Sequence, residues 1–182
     1  MTRSLVDADR VVRLMEGIGR RATGSGRVYL VGGSSAVLVG WRDATVDADI
    51  KLDPEPAAVF EAIALMKDEL DMNVELAAPD QFVPPLPGWR QRSPFIARYG
   101  EVDFFHYDFY GQALAKIERG HRTDLGDVQA MVQHGLIDLD ELVRLFEDVT
   151  GDLLRYPAID EQALRAKLAT TVERVRGNEE GD

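Results

Sequence analysis

Cysteine is absent from the 182 residues, so disulfides, thiolate nucleophiles and cysteine-based zinc sites are excluded. No run of about 18 apolar residues, the length a bilayer-spanning helix needs, occurs anywhere. The opening MTRSLVDADRVVRL interleaves acids with its apolar positions and does not read as a signal peptide, so a cytoplasmic chain with no membrane partner is expected. Basic residues are also short, with 21 Lys and Arg against 32 Asp and Glu and a net charge of −11. Non-specific nucleic-acid binding depends on cations neutralising phosphates, so this balance argues against a broad nucleic-acid surface. A local one could be drawn only from Arg90, Arg92, Arg98, Lys116, Arg119, His121 and Arg122. His106, His121 and His134 lack a tight metal-binding spacing and are read as ordinary polar residues, while Trp41 and Trp89 are read as packing or loop anchors.

What is present is ordinary for a globular protein: 45% hydrophobic and 29% charged residues, enough for one compact unit with a well-buried core. Val11, Leu14, Met15 and Ile18 recur at helical spacing within residues 6–21. A strand at 28–31, a short helix at 34–41 capped by Ser34 or Ser35, and a returning strand around Asp47 follow. Residues 57–70 make a helix expected to cover a sheet, and 73–76 a weak strand. Residues 79–90, with Pro84, Pro85 and Pro87, read as an irregular loop. Residues 95–99 and 102–107, separated by Gly100-Glu101, suit an antiparallel hairpin. From Phe109 the spacing is helical through four segments, and residues 177–182 read as a frayed charged tail. The expected fold is thus α/β (α+β), a mixed sheet flanked by helices over residues 1–108, with a C-terminal helical region over 109–182 packed on it.

The chemistry concentrates in residues 28–52, VYLVGGSSAVLVGWRDATVDADIKL. An apolar strand stops at Gly32-Gly33-Ser34-Ser35, and the returning strand alternates so that Asp47, Asp49 and Lys51 share one face while Ala48, Ile50 and Leu52 share the other. Each piece alone is common, and the combination is informative. Backbone N–H groups at a glycine turn that opens a helix can approach phosphate oxygens, and Ser34 could add a hydroxyl. Two carboxylates beside it suit Mg²⁺ (or Mn²⁺), a hard cation that completes its shell with substrate phosphates and water. Lys51 is read either as a phosphate contact or as the counter-charge of Asp49.

Val31-Gly32-Gly33-Ser34, with Asp47-Ala48-Asp49 following thirteen positions after the serine, resembles the signature of the polymerase-beta-like nucleotidyltransferase superfamily. ALAKIER from Ala113 and RTDLGDV from Arg122 are similar to later segments of its AbiEii-like branch, which includes toxins of toxin-antitoxin systems. The resemblance implies an enzyme that moves a nucleoside monophosphate from an NTP, such as ATP, to a hydroxyl of RNA, a tRNA end, a protein or a small molecule, with a cognate antitoxin as a possible partner. It gives Asp47 and Asp49 the metal-binding role and points to a third carboxylate on a later strand, Asp103, with Asp108 as its rival. It also implies roles for Lys116 with Asp124 or Asp127, whose simpler reading is a surface lysine and a helix cap. Two other functions compete. A non-catalytic nucleotidyltransferase fold could serve as a partner-binding module or antitoxin. Alternatively, Gly32-Gly33-Ser34-Ser35-Ala36 stands one residue short of a Gly-x-Ser-x-Gly nucleophile elbow, although no acid and histidine follow in the required order. P-loop and Rossmann fingerprints are absent.

Overall fold

A computed structural model describes residues 4–179. The chain divides into two compact units, one comprising the N-terminal part up to Ala78 with Ser93–Tyr107, the other Pro79–Arg92 with Asp108 onward.

The first unit is a mixed five-stranded sheet with helices. Asp7 caps α1 (Ala8–Arg21) by accepting from the Arg10 N–H, and Val11, Leu14, Met15 and Ile18 form the buried stripe that its periodicity predicts. β1 (Gly26–Val31), α2 (Gly33–Val39), β2 (Asp47–Leu52), α3 (Val59–Glu69), β3 (Asn73–Leu76), β4 (Phe95–Tyr99) and β5 (Val102–His106) follow. The strand order is β3-β2-β1-β5-β4. β1 lies at the centre, antiparallel to β2 and parallel to β5; β3 is parallel to β2, and β4 is antiparallel to β5. One face of the sheet, with Val28, Leu30, Ala48, Ile50, Val102 and Phe104, is buried in one core with the apolar stripes of α1 and α3. Close approach is built in at Gly19, where a Cβ would fall 2.3 Å from that of Tyr99. At the tip of the β4–β5 hairpin, Gly100 adopts a φ of +60° that few other residues tolerate. On the opposite face Tyr29 stacks on Phe105, with ring centroids 5.3 Å apart.

The second unit is helical: α4 (Trp89–Arg92), α5 (Phe109–Arg119), α6 (Arg122–Gln133), α7 (Leu139–Val149) and α8 (Glu161–Glu179), with 3₁₀ turns at Pro79–Gln81 and Thr150–Arg155. Leu114 and Ile117, Val128 and Met131, Leu142 and Phe146, and Leu164 and Leu168 bury the stripes of the four long helices. Asp108 and Asp138 cap α5 and α7.

The architecture matches the expected mixed α/β class with a helical C-terminal region, and four local expectations are corrected. Neither Ser34 nor Ser35 caps α2; Gly32 does, and both serines lie inside the first turn with their hydroxyls on backbone carbonyls. The proline-rich 79–90 stretch is not wholly irregular, because it holds a 3₁₀ turn and the start of α4. Asp124 is not the cap of α6, which starts earlier, at Arg122 with His121 before it. Gly177 and Asn178 belong to the last turns of α8, and residues 180–182 of the expected tail lie outside the described residues. Among the described residues, no helix is long and apolar enough to cross a membrane.

Candidate functional site

The glycine turn and the two carboxylates are brought together by the β1–β2 pairing. The antiparallel register places Val31, the last residue of β1, opposite Asp49, and Lys51 opposite Tyr29. Asp49 is therefore level with the turn that follows Val31. Alternation buries Ala48 and Ile50 completely in the core and leaves Asp47, Asp49 and Lys51 partly accessible on the opposite face.

The turn shows why two glycines are needed. Gly32 has φ of 56° and ψ of −124°, and a Cβ there would lie 3.3 Å from Asp49 Oδ2. A Cβ on Gly33 would lie only 2.0 Å from Thr45 Oγ1, inside any permitted contact. Asp49 and the turn are thus packed against each other. Ser34 is fully buried and its hydroxyl donates to the Asp49 carbonyl at 3.4 Å, so its side chain fastens α2 to β2. The N–H groups of the first turn have no acceptor within the helix and are the donors the turn can offer to an anion.

Asp47 is held from β3. The Asn73 side-chain amide donates to Asp47 Oδ1 and to Glu75 Oε1, both at 2.8 Å. In the β2–β3 register Asp47 faces Asn73, and Asp49 faces Glu75. Asn73 and Glu75 escaped the sequence reading. Their only signal is the alternation in Asn73-Val74-Glu75-Leu76, and nothing local says that this strand pairs in parallel beside β2.

Asp103 is not brought to this pair. It pairs in register with Arg27, whereas Asp49 pairs with Val31, and four residues along β1 is a displacement of about 13 Å. β5 ends at His106, opposite Leu30, and the residue that follows it towards Val31 and Asp49 is Tyr107, whose N–H donates to the Leu30 carbonyl. Asp103 instead takes a bidentate ion pair from Arg98, at 2.6 and 2.8 Å. That pair holds its carboxyl below the usual carboxylate range, against a smaller opposing effect of burial. Among the described residues, no three His, Cys, Asp or Glu side chains converge closely enough to hold a metal ion by themselves.

Lys116, Asp124 and Asp127 belong to the helical unit and form a closed ion-pair cluster there. Lys116 Nζ is 2.6 Å from Asp127 Oδ2 and 3.5 Å from Asp124 Oδ1. Arg119 grips Asp124 with two bonds, of 2.6 and 2.8 Å. Burial pushes the Asp124 carboxyl up, but Arg119 and Lys116 together bring it below its ordinary value. Lys116 is not the solvent-facing lysine of the simpler reading: its side chain is only 8% exposed. Asp108 is equally enclosed, paired with Arg92 at 2.6 Å and with the Tyr110 N–H, and burial raises its carboxyl above the usual range against the pull of Arg92. Of the seven cations considered for a local basic surface, Arg92, Arg98, Lys116 and Arg119 are thus already tied to carboxylates.

The elbow serine of the hydrolase alternative fares no better. Ser34 is buried on the Asp49 carbonyl, and the hydroxyl near a histidine is that of Ser35, 3.0 Å from His106 Nδ1. Ser35 is also fully buried and its hydroxyl donates to the Leu30 carbonyl, which makes it a structural link between α2 and β1.

A family model described as "Nucleotidyltransferase of unknown function (DUF6036)" matches residues 3–176. No curated protein and no solved structure matches the chain.

Proposed function

The chain belongs to this nucleotidyltransferase family, and on that premise we propose that it transfers a nucleoside monophosphate from an NTP to a hydroxyl acceptor with the help of a divalent cation. The observation that carries the reading is the packing of Asp49 against the Gly32 turn, with Asp47 beside it on the same strand face. Anion donors and cation ligands are thereby offered within one patch. The donor set fits Mg²⁺ or Mn²⁺: two carboxylates without a third protein ligand are what a hard cation uses when triphosphate oxygens and water complete its shell. Asp47 and Asp49 would hold the cation, and Gly32, Gly33 and Ser34 would cradle phosphate through backbone N–H groups. A cation there supplies charge neutralisation for the triphosphate and acidifies a bound hydroxyl.

In the transfer, the acceptor hydroxyl gives up its proton to solvent water, its oxygen forms a bond to the α-phosphorus, the bond from that phosphorus to the bridging oxygen breaks, and pyrophosphate leaves. Lys51 lies on the face of Asp47 and Asp49, where its ammonium suits contact with the leaving phosphates. RNA, a tRNA end, a protein or a small molecule can serve as acceptor in this scheme, and the AbiEii-like toxin role with a cognate antitoxin is the specific form that the later segments favour. The test is incubation with labelled NTPs, Mg²⁺ and candidate acceptors. Label transfer by the native chain, lost in Asp47→Asn and Asp49→Asn, is the expected result. Transfer that persists in both variants, or its absence with Mg²⁺ and Mn²⁺ alike while the chain still binds a partner protein, would leave the binding-module reading in its place.

A further inference from the structure

We infer that Asn73 is a positioning residue for the cation-binding carboxylates, orienting Asp47 from the neighbouring strand; the inference rests on the nucleotidyltransferase reading above. Asn73 carries two amide N–H donors, and both are committed: one to Asp47 Oδ1, one to Glu75 Oε1, at 2.8 Å each. The orientation of the amide is fixed by chemistry, since turning it over would point its carbonyl oxygen at two carboxylates. The parallel β2–β3 register puts Asp47 and Asn73 side by side and sets Glu75 beside Asp49, and the Asn73 amide bridges the Asp47 and Glu75 carboxylates.

Two consequences follow. Asn73 takes one oxygen of Asp47, Oδ1, and would thereby turn the other towards a cation. Asn73 also restrains Glu75 by the same amide, which offsets the repulsion between the Asp47 and Glu75 carboxylates. Groups that hydrogen-bond a metal ligand from behind typically change metal affinity by about 10–100-fold when removed.

The experiment is Mn²⁺ titration of the full chain, followed by the electron paramagnetic resonance signal of free Mn²⁺, with and without ATP, alongside thermal unfolding in EDTA. Asn73→Ala should bind Mn²⁺ about tenfold or more weakly than the native chain. Asn73→Thr guards against a folding defect, because threonine favours strands where asparagine does not. It should unfold no lower than the native chain in EDTA and still lose Mn²⁺ affinity, a divergence that a merely structural role for Asn73 would not produce. Native affinity in both variants would overturn the inference and leave the nucleotidyltransferase reading standing. Failure of the native chain to bind Mn²⁺ under either condition would remove both.

Discussion

His106 offers the most quantitative test of how this sheet is built. It ends β5, and its Nδ1 lies 3.0 Å from the Ser35 hydroxyl, which spends its own hydrogen on the Leu30 carbonyl. Nδ1 must therefore carry a hydrogen and donate to Ser35. Protonation of the ring keeps that bond, and the cost of burying the charged ring outweighs it. Burial pushes the imidazole down from 6.5 to about 4. A histidine whose folded pKa lies below its unfolded one gives the unfolded chain the greater proton affinity. The native state is then at full strength above pH 6.5 and loses stability as the pH falls towards 4. At about 1.4 kcal/mol per pH unit, the interval is worth at most about 3.5 kcal/mol, and the partial exposure of the ring trims this towards about 2. Urea unfolding of the native chain and of His106→Gln, between pH 4.5 and 7.5, isolates the contribution because the carboxylates titrate in both. The stability difference between the two should shift by about 2 kcal/mol in favour of the variant as the pH drops from 7 to 4.5. A difference that stays constant with pH would refute the reasoning, and an NMR titration placing the His106 ring near 6.5 would show why.

Three further outcomes are expected. Gly33→Ala should lose about 1–3 kcal/mol in urea unfolding through its clash with Thr45, and pairing it with Thr45→Gly should recover part of that loss as a coupling energy in a double-mutant cycle. Lys116→Met leaves Asp127 charged and enclosed, so denaturant titration should register a loss of about 3–5 kcal/mol, with much of it regained when Asp127→Leu is added. Asp103→Asn breaks a pair whose arginine is largely exposed, so unfolding should change by less than about 1 kcal/mol; label transfer should stay within about threefold of native, and a collapse of transfer would restore Asp103 to the site.

How much of the site could be read in advance depends on how far apart in the chain its parts lie. Gly32-Gly33-Ser34 and Asp47-x-Asp49 were legible because one short helix and one returning strand connect them, and the alternation of β2 already assigns each side chain to a face. The direction of the Ser34 hydroxyl is not legible in this way, because a serine after a glycine turn looks the same in sequence whether its hydroxyl faces a ligand or, as here, the Asp49 carbonyl. Asn73 and Glu75 were invisible for a different reason. A polar residue on a four-residue edge strand carries no sign of its partner, and β3 reaches β2 only after the chain has passed through the 11 residues of α3 and the turns on either side of it.

The sequence by itself determined the class of the fold, the helical stripes and the placing of two carboxylates on one strand face, because periods of 2 and 3.6 residues are properties of the local backbone. It also determined the glycine turn, through the conformations that only glycine adopts cheaply. The tertiary structure alone decided which later residues reach that turn. Strand register is set by burying Leu30, Ile50 and Phe104 in one core, and that register brings Tyr107 rather than Asp103 towards Val31 and Asp49. It decided equally that Lys116, Asp124 and Asp127 close on one another, since an enclosed charge needs an opposite one and only the packing of α5 on α6 supplies it.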